Sequence, residues 1–174
     1  MGFIVDVKDN CKLSAEEPLR GQDVLAVCGK KGESNIVAWR VNNYLRPLDW
    51  IVDDDCFVEF VDTSSFEGME VYRRSLSFLL VLASKYALSE DVFIRHSISD
   101  GYYCELESGE VSEEKVQTIK TELDRLVSAN IPIKREVLSG DKARRIFTRQ
   151  GNLDKANLLR WTAVDPIEVY KCDG

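Results

Sequence analysis

The chain has 174 residues, 44% hydrophobic and 30% charged, enough apolar material for a real core in one medium or two small domains. Its formal net charge of −7 opposes nonspecific phosphate binding, which needs clustered Lys and Arg to displace condensed counterions, so nucleic acid is not an expected partner. No run of about 18 apolar residues occurs, and no basic stretch leads into an apolar core and cleavage site at the N-terminus, so a cytoplasmic protein without a membrane segment is expected.

In chain order, Phe3, Val5 and Val7 alternate as in a half-buried strand. Pro18 and Gly21 mark a turn, residues 24–28 read as a short helix, and Val37-Ala-Trp-Arg-Val-Asn-Asn-Tyr-Leu-Arg-Pro-Leu-Asp49 and Cys56-Phe-Val-Glu-Phe-Val61 follow. Gly29-Lys-Lys-Gly32 lacks the Gly-x-x-x-x-Gly-Lys-Ser/Thr spacing of a phosphate-cradling loop, so no ATP site is expected in these residues. Asp53-Asp54-Asp55 invites a metal reading. Three consecutive residues of a loop between strands point in different directions, however, and a calcium loop's Gly and Glu are missing, so a solvated turn is expected. The first domain is expected over residues 1–62, with the short polar segment 63–69 as a linker and the second domain over 70–174.

The second domain opens with Val71-Tyr-Arg-Arg-Ser-Leu-Ser-Phe-Leu-Leu-Val-Leu-Ala-Ser-Lys-Tyr86. Leu76, Leu79, Leu80 and Ala83 recur at helical spacing and Val81 and Leu82 widen the stripe, which predicts a helix buried on most sides. Phe93-Ile-Arg-His-Ser-Ile98 and Tyr102-Tyr-Cys-Glu-Leu106 flank Ser99-Asp-Gly101, a hairpin signal because the tight turn needs positive φ. Ser112 is placed to cap a helix with Glu113 and Glu114 at its positive end and Val116, Ile119, Leu123, Leu126 and Val127 on its apolar face. Asn130-Ile-Pro132 ends it. A strand over Ile133–Leu138 follows, then a helix opened by Ser139, carrying Ala143, Ile146 and Phe147 and closed by a left-handed Gly151. A short helix over Leu153–Trp161 and the alternating Ile167-Glu-Val-Tyr-Lys-Cys172 complete the pattern.

Chemistry-bearing residues are few. His96 is the only histidine, no Gly-x-Ser-x-Gly elbow accompanies a serine, and a zinc site would need His96 with distant cysteines or carboxylates. Five scattered cysteines without a Cys-x-x-Cys pair predict reduced thiols, with Cys28, Cys56 and Cys104 as small buried hydrophobes. The candidate basic patches are Arg73-Arg74 and the group Lys134, Arg135, Lys142, Arg144, Arg145 and Arg149, all in segments where charges also make solvated helix faces. Trp39, Trp50 and Trp161 suit either a core or an interface, and an oligomer is possible.

Val41-Asn42-Asn43, Leu48-Asp49 and Val58-Glu59-Phe60 resemble the hairpin, step and closing strand of the β-grasp TGS domain of threonyl-tRNA synthetases. Asp100-Gly-Tyr-Tyr-Cys-Glu-Leu106 and Ala143-Arg-Arg-Ile-Phe-Thr-Arg-Gln-Gly-Asn152 resemble the editing domain that follows it there. The resemblance implies an α+β chain: a ubiquitin-like β-grasp domain followed by an editing-like two-layer α/β domain. The family's first editing helix reads His-Ser-x-x-His-Leu-Leu; aligned on Leu79-Leu80, it puts Arg74 and Phe78 at the histidine positions and retains Ser75. Cys172 falls at the cysteine of the second half-site, whose histidine partner would lie beyond Gly174. An editing centre is therefore not expected.

Val71-Tyr-Arg-Arg-Ser-Leu-Ser-Phe78, His96-Ser-Ile-Ser-Asp-Gly-Tyr-Tyr-Cys-Glu-Leu106, Phe147-Thr-Arg-Gln-Gly-Asn-Leu-Asp-Lys155 and Tyr170-Lys-Cys-Asp-Gly174 also resemble the N-terminal module of bacterial uridine kinase-like nucleoside kinases. That resemblance implies a noncatalytic module with ligand-binding or regulatory work beside its own C-terminal kinase domain, where ATP and Mg2+ would be held by a P-loop absent here. It implies no cofactor in these residues and a chain that continues past its last residue. Tyr72, Arg74, Ser75, His96, Tyr102, Cys104 and Cys172 become candidates for a small-molecule site, in which a guanidinium fork, an imidazole and a phenol would suit a phosphate or carboxylate. An aminoacyl-tRNA deacylase and a protein- or RNA-binding TGS-type module are the alternatives.

Overall fold

The computed structural model describes residues 2–8, 11–29, 35–99, 101–162 and 164–172. The readings made for Lys30, Lys31 and Gly32, for Asp100, and for Asp173 and Gly174 concern residues outside that set. The chain divides into two compact units, Met1–Leu82 with Asp91–Glu107 and Ala83–Glu90 with Ser108–Gly174.

The first unit begins with a five-stranded mixed sheet ordered β2-β1-β7-β4-β5, built from β1 (Phe3–Val7), β2 (Cys11–Ala15), β4 (Ile36–Val41), β5 (Tyr44–Arg46) and β7 (Cys56–Asp62). Strand β1 is antiparallel to β2 and parallel to β7, and β7 is antiparallel to β4. A two-residue ribbon, β3 (Leu19–Arg20) with β6 (Ile51–Val52), and the helix α1 (Gly21–Cys28) complete it. This is the β-grasp arrangement anticipated from the sequence, and it follows from pattern: alternation buries Phe3, Val5 and Val7 on one face, where they pack with Val24, Trp39 and Val58 in one core. Trp39 is fully buried, and its indole Nε1–H donates to the Pro47 carbonyl at 3.0 Å, so its burial carries no unpaired donor. Asn42 and Asn43 both take left-handed φ (46° and 70°), the conformation a two-residue hairpin between Val41 and Tyr44 demands and asparagine tolerates.

One expectation is corrected here. Cys11, at the start of β2, and Cys28, at the end of α1, form a disulfide; Cys28 is buried as expected, but not as a thiol. Spacing gave no cue, because the two residues, 17 apart in sequence, are brought together only when α1 folds back on the sheet. The acidic loop is exposed at Asp53, Asp54 and Asp55, as expected of a solvated turn, and the Asp55 carboxylate in addition accepts the Ile4 N–H at 2.7 Å.

The expected linker is a structured cap. Asp62 accepts hydrogen bonds from the Ser64 hydroxyl at 2.6 Å and from the Ser64 N–H at 3.0 Å, which pull its carboxyl below the usual carboxylate range. Ser65 donates its hydroxyl proton to the Asp62 carbonyl and accepts the Gly68 N–H, opening α2 (Phe66–Leu88). Gly68, read as a loop residue, lies in the first helical turn because the backbone passes so close: a Cβ there would sit 1.8 Å from the Asp62 carbonyl oxygen. The helix of 23 residues takes in the last residues of the expected linker, and the first compact unit includes it as far as Leu82. Nor is α2 buried on most sides. Ala83 and Ser84 are enclosed, but Leu76 is 43% exposed, because Arg74, Lys85 and Tyr86 keep one side of the rod in solvent. The unit ends with an antiparallel hairpin, β8 (Val92–Ile98) and β9 (Gly101–Leu106).

In the second unit, α3 (Glu113–Ser128) is capped by Ser112, whose hydroxyl accepts the Lys115 N–H. Ile119 and Leu126 are buried, whereas Val116 and Val127 at the margins of the expected apolar face are exposed. Strands β10 (Ile133–Leu138) and β11 (Ile167–Cys172) pair antiparallel from Ile133↔Cys172 to Leu138↔Ile167. Between them lie α4 (Gly140–Arg149), capped by Ser139 and followed by Gly151 at φ 77°, and α5 (Leu153–Trp161). Ala143 is fully buried; Trp161 is 89% exposed and so is no core residue. No helix among the described residues is long and apolar enough to cross a membrane.

Candidate functional site

The β8–β9 hairpin carries three of the seven candidate residues, and its register decides which of them meet. Val92↔Leu106, Phe93↔Glu105 and Ile94↔Cys104 pair in step; the register then shifts, and His96 faces Tyr103 and Ser97 faces Tyr102. One extra residue, Arg95, is thus inserted in β8. A one-residue shift carries every following side chain to the opposite face of a ribbon. Without it, His96 would share the face of Ile94, Cys104 and Tyr102. With it, the imidazole stacks on Tyr103, ring centroids 5.1 Å apart, on the face of Glu105.

That outer face is a run of satisfied contacts. Arg95 donates to Glu105 at 2.7 Å, its guanidinium lies 4.9 Å from the Phe93 ring centroid, and the hydrogen bond from Arg95 holds the Glu105 carboxyl below its ordinary range. On the other face, Cys104 is partly buried, and burial pushes its thiol up from the ordinary value. Its S–H points to the Tyr102 carbonyl at 3.8 Å. A raised thiol pKa leaves little thiolate near neutral pH, the opposite of what a nucleophilic cysteine needs.

The three candidates on α2 do not converge either. At about 100° per residue, Tyr72 and Ser75 share a helix face and Arg74 lies roughly opposite Tyr72. Arg74 has a side chain 80% exposed and pairs with Glu70 one turn back at 3.8 Å, not with Glu105 or Glu107. The Ser75 hydroxyl donates to the Val71 carbonyl at 2.9 Å, an ordinary back-bond of helical serine; Tyr72 is 47% exposed. Cys172 ends β11 opposite Ile133 in the other unit. Among the described residues, no three His, Cys, Asp or Glu side chains gather as a metal ion's ligands.

The basic residues are largely matched by carboxylates. Arg135 bonds Glu168 at 2.9 Å, Arg144 bonds Asp141 at 2.9 Å, and Lys171 pairs with Glu136. A further polar cluster, not anticipated from the sequence, joins Lys115 Nζ to Glu90 at 2.7 Å and to Ser108 Oγ at 3.0 Å, with the Ser108 hydroxyl donating to the second Glu90 oxygen at 2.7 Å. The hydrogen bond from Lys115 holds the Glu90 carboxyl below its ordinary range, so the ammonium stays paired and acts as a clamp between the end of α2 and the start of α3. The other feature missed was the Tyr103 partner of His96. No sequence signal marks it: the shift at Arg95 shows only in the pairing of β8 with β9.

No protein-family model matches the chain. Among curated proteins it is similar to threonine–tRNA ligases: 28% identical over 158 residues to that of Halorhodospira halophila, covering 89% of this chain and 24% of that protein. It is 28% identical over 170 residues to that of Acidithiobacillus ferrooxidans, covering 96% and 26%, and 25% identical over 163 residues to that of Thermotoga neapolitana, covering 91% and 25%. The chain spans about a quarter of the length of these relatives, and it is threonyl-tRNA-synthetase-like across both of its compact units.

Proposed function

We propose that the chain is a synthetase-type N-terminal module that works by binding and carries no hydrolytic centre of its own. The observation that carries this reading is the opposition of His96 to Cys104 and Tyr102 on the two faces of one ribbon: the only imidazole is turned from the Cys104 thiol, so these two do not make a base beside a nucleophile. The similarity to threonine–tRNA ligases supports the synthetase type. Arg74 and Phe78, at the positions where that family's editing helix has histidines, support binding over deacylation. The test is release of amino acid from mischarged threonine tRNA. Release at the uncatalysed rate is expected; acceleration abolished by His96→Ala would replace this reading with an aminoacyl-tRNA deacylase.

A second reading, favoured by the Val71–Phe78, His96–Leu106, Phe147–Lys155 and Tyr170–Gly174 motifs, makes the module part of a uridine kinase-like nucleoside kinase. The full-length gene product separates the two parents. ATP-dependent charging of tRNA with threonine supports the first; phosphorylation of uridine by ATP and Mg2+ without charging establishes the second, and ATP then belongs to a C-terminal P-loop domain.

A further inference from the structure

Three cations of α4 lack the carboxylate partners that Arg135, Arg144 and Lys171 have. Lys142, Arg145 and Arg149 are exposed, and no ion pair or hydrogen bond from another described residue engages their side chains. At about 100° per residue the three fall within about 60° of one another, on the side turned from the fully buried Ala143 and the partly buried Phe147. From Lys142 to Arg149 the helix rises about 10 Å, so the charges form a row and not a point. Asp141, the one carboxylate of α4, is held by Arg144 at 2.9 Å and does not neutralise that row. Like charges three and four residues apart on a helix repel, a cost that a bound anion relieves.

We propose that this row is a docking surface for the phosphate backbone of a nucleic-acid duplex. The side chains of the face select the occupant. An acidic protein partner would be held through buried aromatic or aliphatic anchors, and none of the large apolar side chains of α4 is exposed. A phosphate backbone is held by Lys and Arg alone, and a row about 10 Å long spans about three phosphate steps of one strand. The face carries no aromatic ring on which an unpaired base would stack, which favours a duplex over a single strand. The net charge of −7 opposes such binding over the surface as a whole, but screening over about 10 Å leaves the local charge to decide. A nucleic-acid partner rests on the binding role proposed above and gives it a ligand. Amino-acid release tests that role and duplex binding tests this surface, so either can fail alone.

The experiment titrates the protein into a labelled RNA duplex of mixed sequence at about 50 mM salt and then at rising salt, reading anisotropy, with the melting temperature of every variant as a folding control. Saturable binding is expected, with a slope of log K against log salt of about −2 to −3 for three phosphate contacts. Arg145→Gln with Arg149→Gln is expected to weaken it at least about tenfold and to flatten the slope by about 2. Arg125→Gln with Arg135→Gln removes the same charge from cations already paired with Glu122 and Glu168 and is expected to leave binding unaltered. Absence of saturable binding, equal weakening by the two pairs, or an unchanged slope in the α4 variant would overturn the proposal. Binding of poly-glutamate in place of the duplex, lost in the α4 variant, would overturn it in favour of an acidic protein.

Discussion

His96 lies against Tyr103 with ring planes 29° from parallel, and this stack fixes which way the only imidazole of the chain points. A double-mutant cycle tests the relationship. Coupling between His96→Ala and Tyr103→Ala should be about 0.5–1 kcal/mol, typical of a cross-strand aromatic pair. Coupling between His96→Ala and Tyr102→Ala should be within error, since those side chains occupy opposite faces. The reverse pattern in urea unfolding would show that β8 pairs without the shift at Arg95.

Glu59, on β7, ties the turn after β1 to β4: it accepts from Lys8 and, at 2.6 Å, from Arg40, whose other nitrogen reaches Glu67 at the start of α2. The Lys8 hydrogen bond, then the charges of Lys8 and Arg40, hold its carboxyl below the ordinary value despite opposing burial. A carboxyl depressed in the folded state contributes stability above its unfolded pKa and loses it as pH falls through the folded one. Glu59→Gln should therefore cost about 1 kcal/mol at pH 7. Urea melts should show that difference shrinking well below pH 4, as the wild-type carboxyl takes up its proton.

Two glycines of similar appearance in the sequence predict opposite outcomes. Gly68→Ala would drive a methyl group to 1.8 Å from the Asp62 carbonyl oxygen, whereas a Cβ on Gly140, at the start of α4, meets nothing within 4 Å. The first substitution should destabilise by about 2–3 kcal/mol, as overpacking against backbone does. The second should stay within about 0.5 kcal/mol of wild type or gain slightly from a less flexible unfolded chain. Thermal melts of both variants decide it; a neutral Gly68→Ala would mean that α2 does not start against Asp62.

Local pattern made most elements legible. Ser112 and Ser139 cap the helices they were expected to open, and Leu153–Trp161 and Ile133–Leu138 form over the residues their periodicity indicated, because these signals depend on neighbours within one turn or one strand pair. The candidate site was less legible, since it hinged on a single residue of register. Alternation read straight through β8 puts His96 beside Cys104, and only the pairing with β9 shows that Arg95 breaks it. Gly68 and the disulfide escaped for the same reason, as each depends on an approach between segments that no local spacing records.

The Cys11–Cys28 bond gives the last prediction. Unfolded without reductant, the protein should take up three alkylating groups, one each at Cys56, Cys104 and Cys172. Native protein should label at the partly exposed Cys104 and Cys172 and resist at Cys56, whose thiol is buried and pushed up in pKa first by that burial and then by the charge of Asp55. Reduction opens a cross-link between residues 17 apart, worth on the order of 3 kcal/mol in the chain-entropy account. For a chain of this size that lowers the melting temperature by about 6–12 °C. Five adducts on unreduced, unfolded protein would show that the two cysteines stand as thiols, and the melting temperature would then be indifferent to reductant.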